Sequence, residues 1–243
     1  MTTRFLSRKN GFDRSRILAD ASKARARRRR HKAIELYRWV LAVEPRNPEL
    51  HARLGPLLAE TGQEFDAWMS YRTAGGAYVR QGQLDKAVGL YREAARLLPR
   101  EVKIWHSIAR LQCKASREVE ALETLLEGSR QFKTRWARPE AIFLLRRARE
   151  IDAWHFESVI DLARLLASTE QRKEAELLLD SLGRRSQGAQ LRRVRAVQLR
   201  TEPGLFALWR WLRLFAQRRA EPQAHPRGAR VAVLRPRQAR QIG

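Results

Sequence analysis

Cysteine occurs once in the 243 residues, as Cys113. A lone thiol excludes an internal disulfide framework and fits a reducing compartment, so the expected location is cytoplasmic. Long hydrophobic runs are missing too. No stretch of about 18 apolar residues occurs, so no membrane-spanning helix is expected. The basic N-terminus is not followed by an apolar segment of the kind a secretory leader needs, so none is expected. The five histidines, His31, His51, His106, His155 and His225, are scattered without metal-ligand spacing. There is no glycine-rich phosphate loop and no nucleophile elbow, and Cys113 has no local partner motif. The expectation is a non-enzymatic protein with no cofactor and no metal.

Proline and glycine are sparse, with 9 and 13 residues, while Leu, Ala, Arg and Glu dominate. That composition favours an all-helical chain. The formal net charge is +24, carried by 42 Arg and 8 Lys against 26 acids. Such an arginine skew follows from genome base composition as readily as from phosphate binding, which lowers the information in any one arginine. The distribution of charge says more. Residues 1–32 carry a net +10 and residues 184–243 a net +13, whereas 33–183 carry only +1. The excess sits at the two ends.

Residues 68–101 hold the clearest pattern. Tyr71, Ala74, Gly75 and Tyr78 fall at helical spacing, Gly82 follows, then come Ala87 and Tyr91, and Pro99 stops the run. In this order the stretch resembles a tetratricopeptide repeat, with Tyr71 for Trp and Ala74 for Leu as mild departures. The resemblance implies antiparallel helix pairs stacked as a right-handed α-solenoid, and it extends with decreasing clarity over residues 14–183. Ala33, Tyr37, Val40 and Pro45 match a second helix, and Asn47-Pro48 reads as an N-cap followed by proline at the first helical position. Leu54, Gly55 and Leu58 open the next pair, with Gly62 as its stop. Ala67 and Ala87 stand only 20 residues apart where a 34-residue period is expected. Either one longer helix over about 64–81 serves two repeats, or a helix has been lost. Trp105, Ile108, Ala109, Ala121 and Leu125 form a further unit, a helix over about 139–151 follows, and Val159–Gly183 makes a last one. Residues 1–13 are expected to be flexible, 184–219 to form basic and aromatic capping helices, and 220–243 to be a disordered basic tail.

Three features are candidates for function. In tetratricopeptide solenoids the first helix of each repeat lines the inner face, where the family binds peptides or helices. Carried over by position, that face includes Met69, Arg72 and Arg80, then Lys103, His106, Arg110 and Lys114, then Arg164. It suits another protein or an acidic peptide through charge-assisted hydrogen bonds; the plainer reading is a solvated face in an arginine-rich chain. The asparagines of the family's chaperone-tail clamp are replaced by Pro56 and Gly76, which excludes that specialisation. Second, Arg25, Arg27, Arg28, Arg29 and Arg30 lie on what reads as one helix. With the C-terminal arginines they suit nucleic acid or an anionic surface non-specifically, or they simply solubilise the ends. Third, Leu205, Leu208, Trp209 and Leu212 make a stripe suited to capping the last repeat. Phe206, Trp211 and Phe215 then fall partly outside that stripe, where they could dock a partner or a membrane interface.

Overall fold

The computed structural model describes residues 13–201, 204–205, 208–209 and 211–213. Eleven α-helices occur among them, with no strand: α1 (Arg14–Ala26), α2 (Arg30–Val43), α3 (Pro48–Glu60), α4 (Glu64–Arg80), α5 (Leu84–Leu97), α6 (Val102–Lys114), α7 (Glu118–Ser129), α8 (Arg138–Ile151), α9 (Phe156–Ala167), α10 (Arg172–Arg185) and α11 (Gly188–Thr201). One 3-10 turn, Arg135–Ala137, precedes α8. The expectations for 1–12 and for 214–243 lie outside the described residues.

Local chemistry sets the helix starts. The Asp13 carboxylate accepts from the Arg16 N–H at 3.0 Å and Asn47 accepts from Glu49 and Leu50, so each satisfies backbone donors that the helix leaves open. Pro48 and Pro139 stand in first turns, where a missing N–H costs nothing. Gly62 and Gly82 take the left-handed conformation, with φ of 77° and 74°, in the tight turns before α4 and α5.

The helices pack as an α-solenoid, each against its neighbours in sequence, and α3 also meets α5, α6 meets α8, and α9 meets α11. Three closed triplets result. Their first helices begin at Pro48, Val102 and Phe156, and their second at Glu64, Glu118 and Arg172, in both cases 54 residues apart. The period reaches the side chains. Arg38 pairs with Asp66 at 2.8 Å, Arg92 with Glu120 at 3.4 Å and Arg146 with Glu174 at 2.8 Å, so an arginine of one unit meets a carboxylate of the next at every junction. Arg38 and Arg146 also donate to Gln63 and Gln171. These pairs are about half exposed and worth at most about 1 kcal/mol each. Their effect is to fix register.

The double use of a single helix over 64–81 is what the structure shows. Tyr71 of α4 is fully buried against Gly55 of α3, where an added Cβ would lie 3.0 Å from its ring. One turn on, Gly75 of the same helix faces Tyr91 of α5, and an added Cβ there would come within 2.4 Å of the ring. Trp68 packs beside Tyr91 with ring centroids 6.0 Å apart. The device recurs in α7, whose Gly128 lies against Trp105 of α6 and whose other neighbour is α8. That second sharing was missed from the sequence, although Ala121 and Ala141 are spaced by the same 20 residues as Ala67 and Ala87.

One expectation is overturned. Arg25–Arg30 do not lie on one helix. The Arg28 and Arg29 amides turn back to the Arg25 and Ala24 carbonyls, both at 2.9 Å, and Arg28 takes a φ of 55°. The chain therefore reverses within the run. α1 ends at Ala26 and Arg30 opens α2, where it pairs with Glu60 of α3. The five arginines are divided between the end of α1, a tight turn and the start of α2.

Candidate interaction face

Arg72, Arg110 and His106, three of the expected inner-face residues, act on two aromatic rings. Burial pushes the Tyr91 hydroxyl's pKa up, and the positive charges of Arg110 on α6 and Arg72 on α4 partly oppose it. Neither arginine has an ion-pair partner among the described residues. One turn from Arg110, His106 meets Phe143 of α8 edge-on at 5.4 Å. Arg147 lies over the Phe143 ring, 5.3 Å from its centroid, and holds Glu150 through two hydrogen bonds. Burial lowers the His106 pKa, and the Arg147 and Arg110 charges add to the effect. The imidazole is therefore neutral at pH 7, and the site's positive charge comes from guanidiniums.

Helical periodicity explains the grouping on α6. Lys103, His106, Arg110 and Lys114 recur at spacings of 3, 4 and 4, which places them along one face. Lys103 and Lys114 are exposed beside the cluster. Met69 is half-buried, and Arg80 of α4 is exposed one turn beyond Gly76. Arg164 is separate. It pairs with Asp161 at 3.2 Å and lines a second groove of about 570 Å³, with Arg130, Lys133 and Arg138. Phe143 and Arg147 went unrecognised in the sequence, because α8 carries no motif that marks it as the third helix of a unit.

At the C-terminal end Leu205 and Leu212 are exposed, Trp209 is exposed with the Arg213 guanidinium over its ring, and Trp211 is half-buried. Phe206 and Phe215 lie outside the described residues. Among the described residues no three His, Cys, Asp or Glu side chains converge as metal ligands, and no helix is long and apolar enough to cross a membrane. Burial raises the Cys113 pKa, so the thiol is held in its protonated form.

Residues 137–197, spanning α8 to α11, match the family described as tetratricopeptide repeat. The same stretch contains the α9–α10 pair with Ala163 and Ala175 fully buried between its helices. The match covers about a quarter of the chain. No curated protein matches it. Among solved structures it is similar to TPR-like repeats of a kinesin-light-chain type from Podosopora anserina, at 19% identity over 79% of this chain and 100% of that one, with a TM-score of 0.36. A tetratricopeptide repeat protein of Parabacteroides merdae shares 12% identity over 87% and 94% of the two chains, at a TM-score of 0.32. The pilF protein of Pseudomonas aeruginosa shares 14% over 87% and 93%, at 0.29. The helices of this chain group as triplets in which the middle helix contacts both others, and α4, α6 and α8 carry the residues of the candidate face.

Proposed function

We propose that this chain is a non-enzymatic scaffold that binds an acidic segment of another protein across the α4–α6–α8 face. Tetratricopeptide-repeat proteins are generally scaffolds of this kind. The observation that supports the ligand class is that Arg72 of α4 and Arg110 of α6 are both exposed and have no ion-pair partner among the described residues. Two guanidiniums without an ion-pair partner among the described residues offer forked donors to carboxylates, and the partly exposed Phe143 and the neutral His106 offer apolar area to the side chains between them. Lys103 and Lys114 extend the positive stripe along α6. The length of the face, from α4 to α8, suits a short extended or helical segment.

The test uses the full chain and a fluorescein-labelled peptide rich in Asp and Glu. Each charge-assisted bond is worth roughly 1.5–3 kcal/mol, so R72E/R110E should weaken binding at least about tenfold. Both side chains are exposed, so the thermal midpoint should stay in place. Affinity unchanged in the double variant removes the face from consideration.

A further inference from the structure

The α7–α8 connection departs from its counterpart one unit earlier. α4 runs unbroken to Arg80, and three residues then lead into α5, whereas α7 stops at Ser129 and eight residues follow before α8. The start-to-start distance is 20 residues in both cases, from 64 to 84 and from 118 to 138. No residues have been inserted. Five helical residues, about one and a half turns, have been traded for a connecting segment, Arg130-Gln-Phe-Lys-Thr-Arg-Trp-Ala-Arg138. The cause is local. Gly128 must stay small because a Cβ would come within 2.6 Å of Trp105, and the Ser129 hydroxyl bonds back to the Leu126 carbonyl at 2.8 Å, which competes with helix continuation.

The segment is pinned at both ends. Phe132 is buried, and Arg138 donates to the Ser168 carbonyl at 3.2 Å. Between these anchors Trp136 stands 89% exposed, the most exposed aromatic among the described residues. An indole normally buries large apolar area, so its full display on a held backbone is costly unless something covers the ring. Four cations and no acid accompany it in nine residues. Arg130, Lys133 and Arg138 also line the 570 Å³ groove with Arg164, against the single carboxylate of Asp161.

We infer that residues 130–138 and the adjoining groove bind a single-stranded nucleic acid, with one base stacked on Trp136 and the flanking phosphates on Lys133, Arg135 and the groove arginines. A protruding ring beside cations is the arrangement by which single strands are held with little sequence preference. A duplex keeps its bases stacked and cannot use the ring. A membrane interface is the poorer match, because the segment shows one apolar side chain and no contiguous apolar face to insert. An acidic peptide would use the cations but not the flat ring standing clear of them.

The experiment uses the full chain and fluorescein-labelled uridine and thymidine oligomers of roughly 12 nucleotides, read by anisotropy. W136A leaves the net charge and both Arg-rich ends intact, so it isolates stacking from general attraction. Stacking is worth enough per base that W136A should weaken binding about tenfold, while W136F keeps most of the affinity. K133A and R135A should each reduce the slope of log affinity against log salt by about 0.7. Loss with the uridine oligomer only, the thymidine oligomer only, or both supports the site and says which sugar it accepts. W136A binding within about twofold of the parent, with unchanged salt slopes in K133A and R135A, overturns it. So does a Trp136-dependent flotation with phosphatidylserine vesicles when oligomer binding is unmoved. Trp136, Lys133 and Arg135 are exposed, so circular dichroism should show all four variants folded. R72E/R110E should leave oligomer stacking on Trp136 intact, which separates this site from the peptide face.

Discussion

Gly75 is the position where a single methyl group should report on the shared-helix architecture. In isolation Gly75→Ala improves helix propensity by about 1 kcal/mol, because alanine restricts the unfolded chain. In this fold the new Cβ would sit 2.4 Å from Tyr91 Cζ, 2.5 Å from its hydroxyl and 2.8 Å from Cε2. The ring is stiff and 5% exposed, and Trp68 packs beside it, so it cannot step aside without disturbing α5. Overpacking of this kind costs about 1–3 kcal/mol. We expect a net destabilisation of about 1–2 kcal/mol, which for a chain of this size lowers the thermal midpoint by about 2–8 °C. The assay is urea unfolding followed by circular dichroism, with Tyr91→Leu and the double variant completing a cycle. Tyr91→Leu alone loses packing, but with the ring gone Gly75→Ala should become neutral or stabilising. A Gly75→Ala protein more stable than its parent, or a clash that persists in the Tyr91→Leu background, would refute the close approach of α4 to α5.

Two further outcomes follow from the polar and titratable groups. Gln112 is fully buried, accepts from Thr124 at 2.9 Å and donates to Glu120 at 3.3 Å, while Leu166 and Leu178 stand at the corresponding places 54 residues later. Gln112→Leu alone should cost about 1–3 kcal/mol in urea unfolding by orphaning Thr124, and Gln112→Leu with Thr124→Leu should recover most of it. The His106 pKa is depressed by burial first and by Arg147 and Arg110 next. Its neutral form is favoured in the fold, so its contribution to stability is complete above about pH 6.5 and shrinks as pH falls toward the depressed folded value. A bound carboxylate draws the pKa back up, so acidic-peptide affinity should rise from pH 7.5 to 5.5 and lose that rise in His106→Gln, read by titration at several pH values.

Much of the helix order was legible because turns and caps are local. Asn47-Pro48, Gly62, Gly82 and Pro99 each mark a boundary by their own backbone chemistry, and the 20-residue spacing of Ala67 and Ala87 left only a helix with two partners or a lost helix. The Arg25–Arg30 run misled because arginine is a good helix former, and nothing in its neighbours reports that Arg28 turns left-handed. That reversal is imposed by α1 packing on α2. The triplet organisation was hidden for a different reason. Its marks are pairs such as Arg92 and Glu120, which mean nothing until they are seen facing each other, and the pattern of a two-helix repeat obscures a period of three. At the interaction face, Arg72, His106 and Arg110 followed from helix register, whereas Phe143 and Arg147 depend on how α8 returns beside α6.

The 54-residue spacing makes the chain modular in a unit larger than the helix pair. Excising residues 102–155 would join the end of α5 directly to α9, and Arg92 would then stand opposite Glu174 and Gln171, the partners that Arg146 has now. Length can therefore change in whole units while the contact at each junction is preserved. A helix pair offers no such exchange, because the shared middle helix would lose one of its two neighbours. The grammar of this solenoid permits insertion and deletion of complete triplets, and it forbids anything smaller.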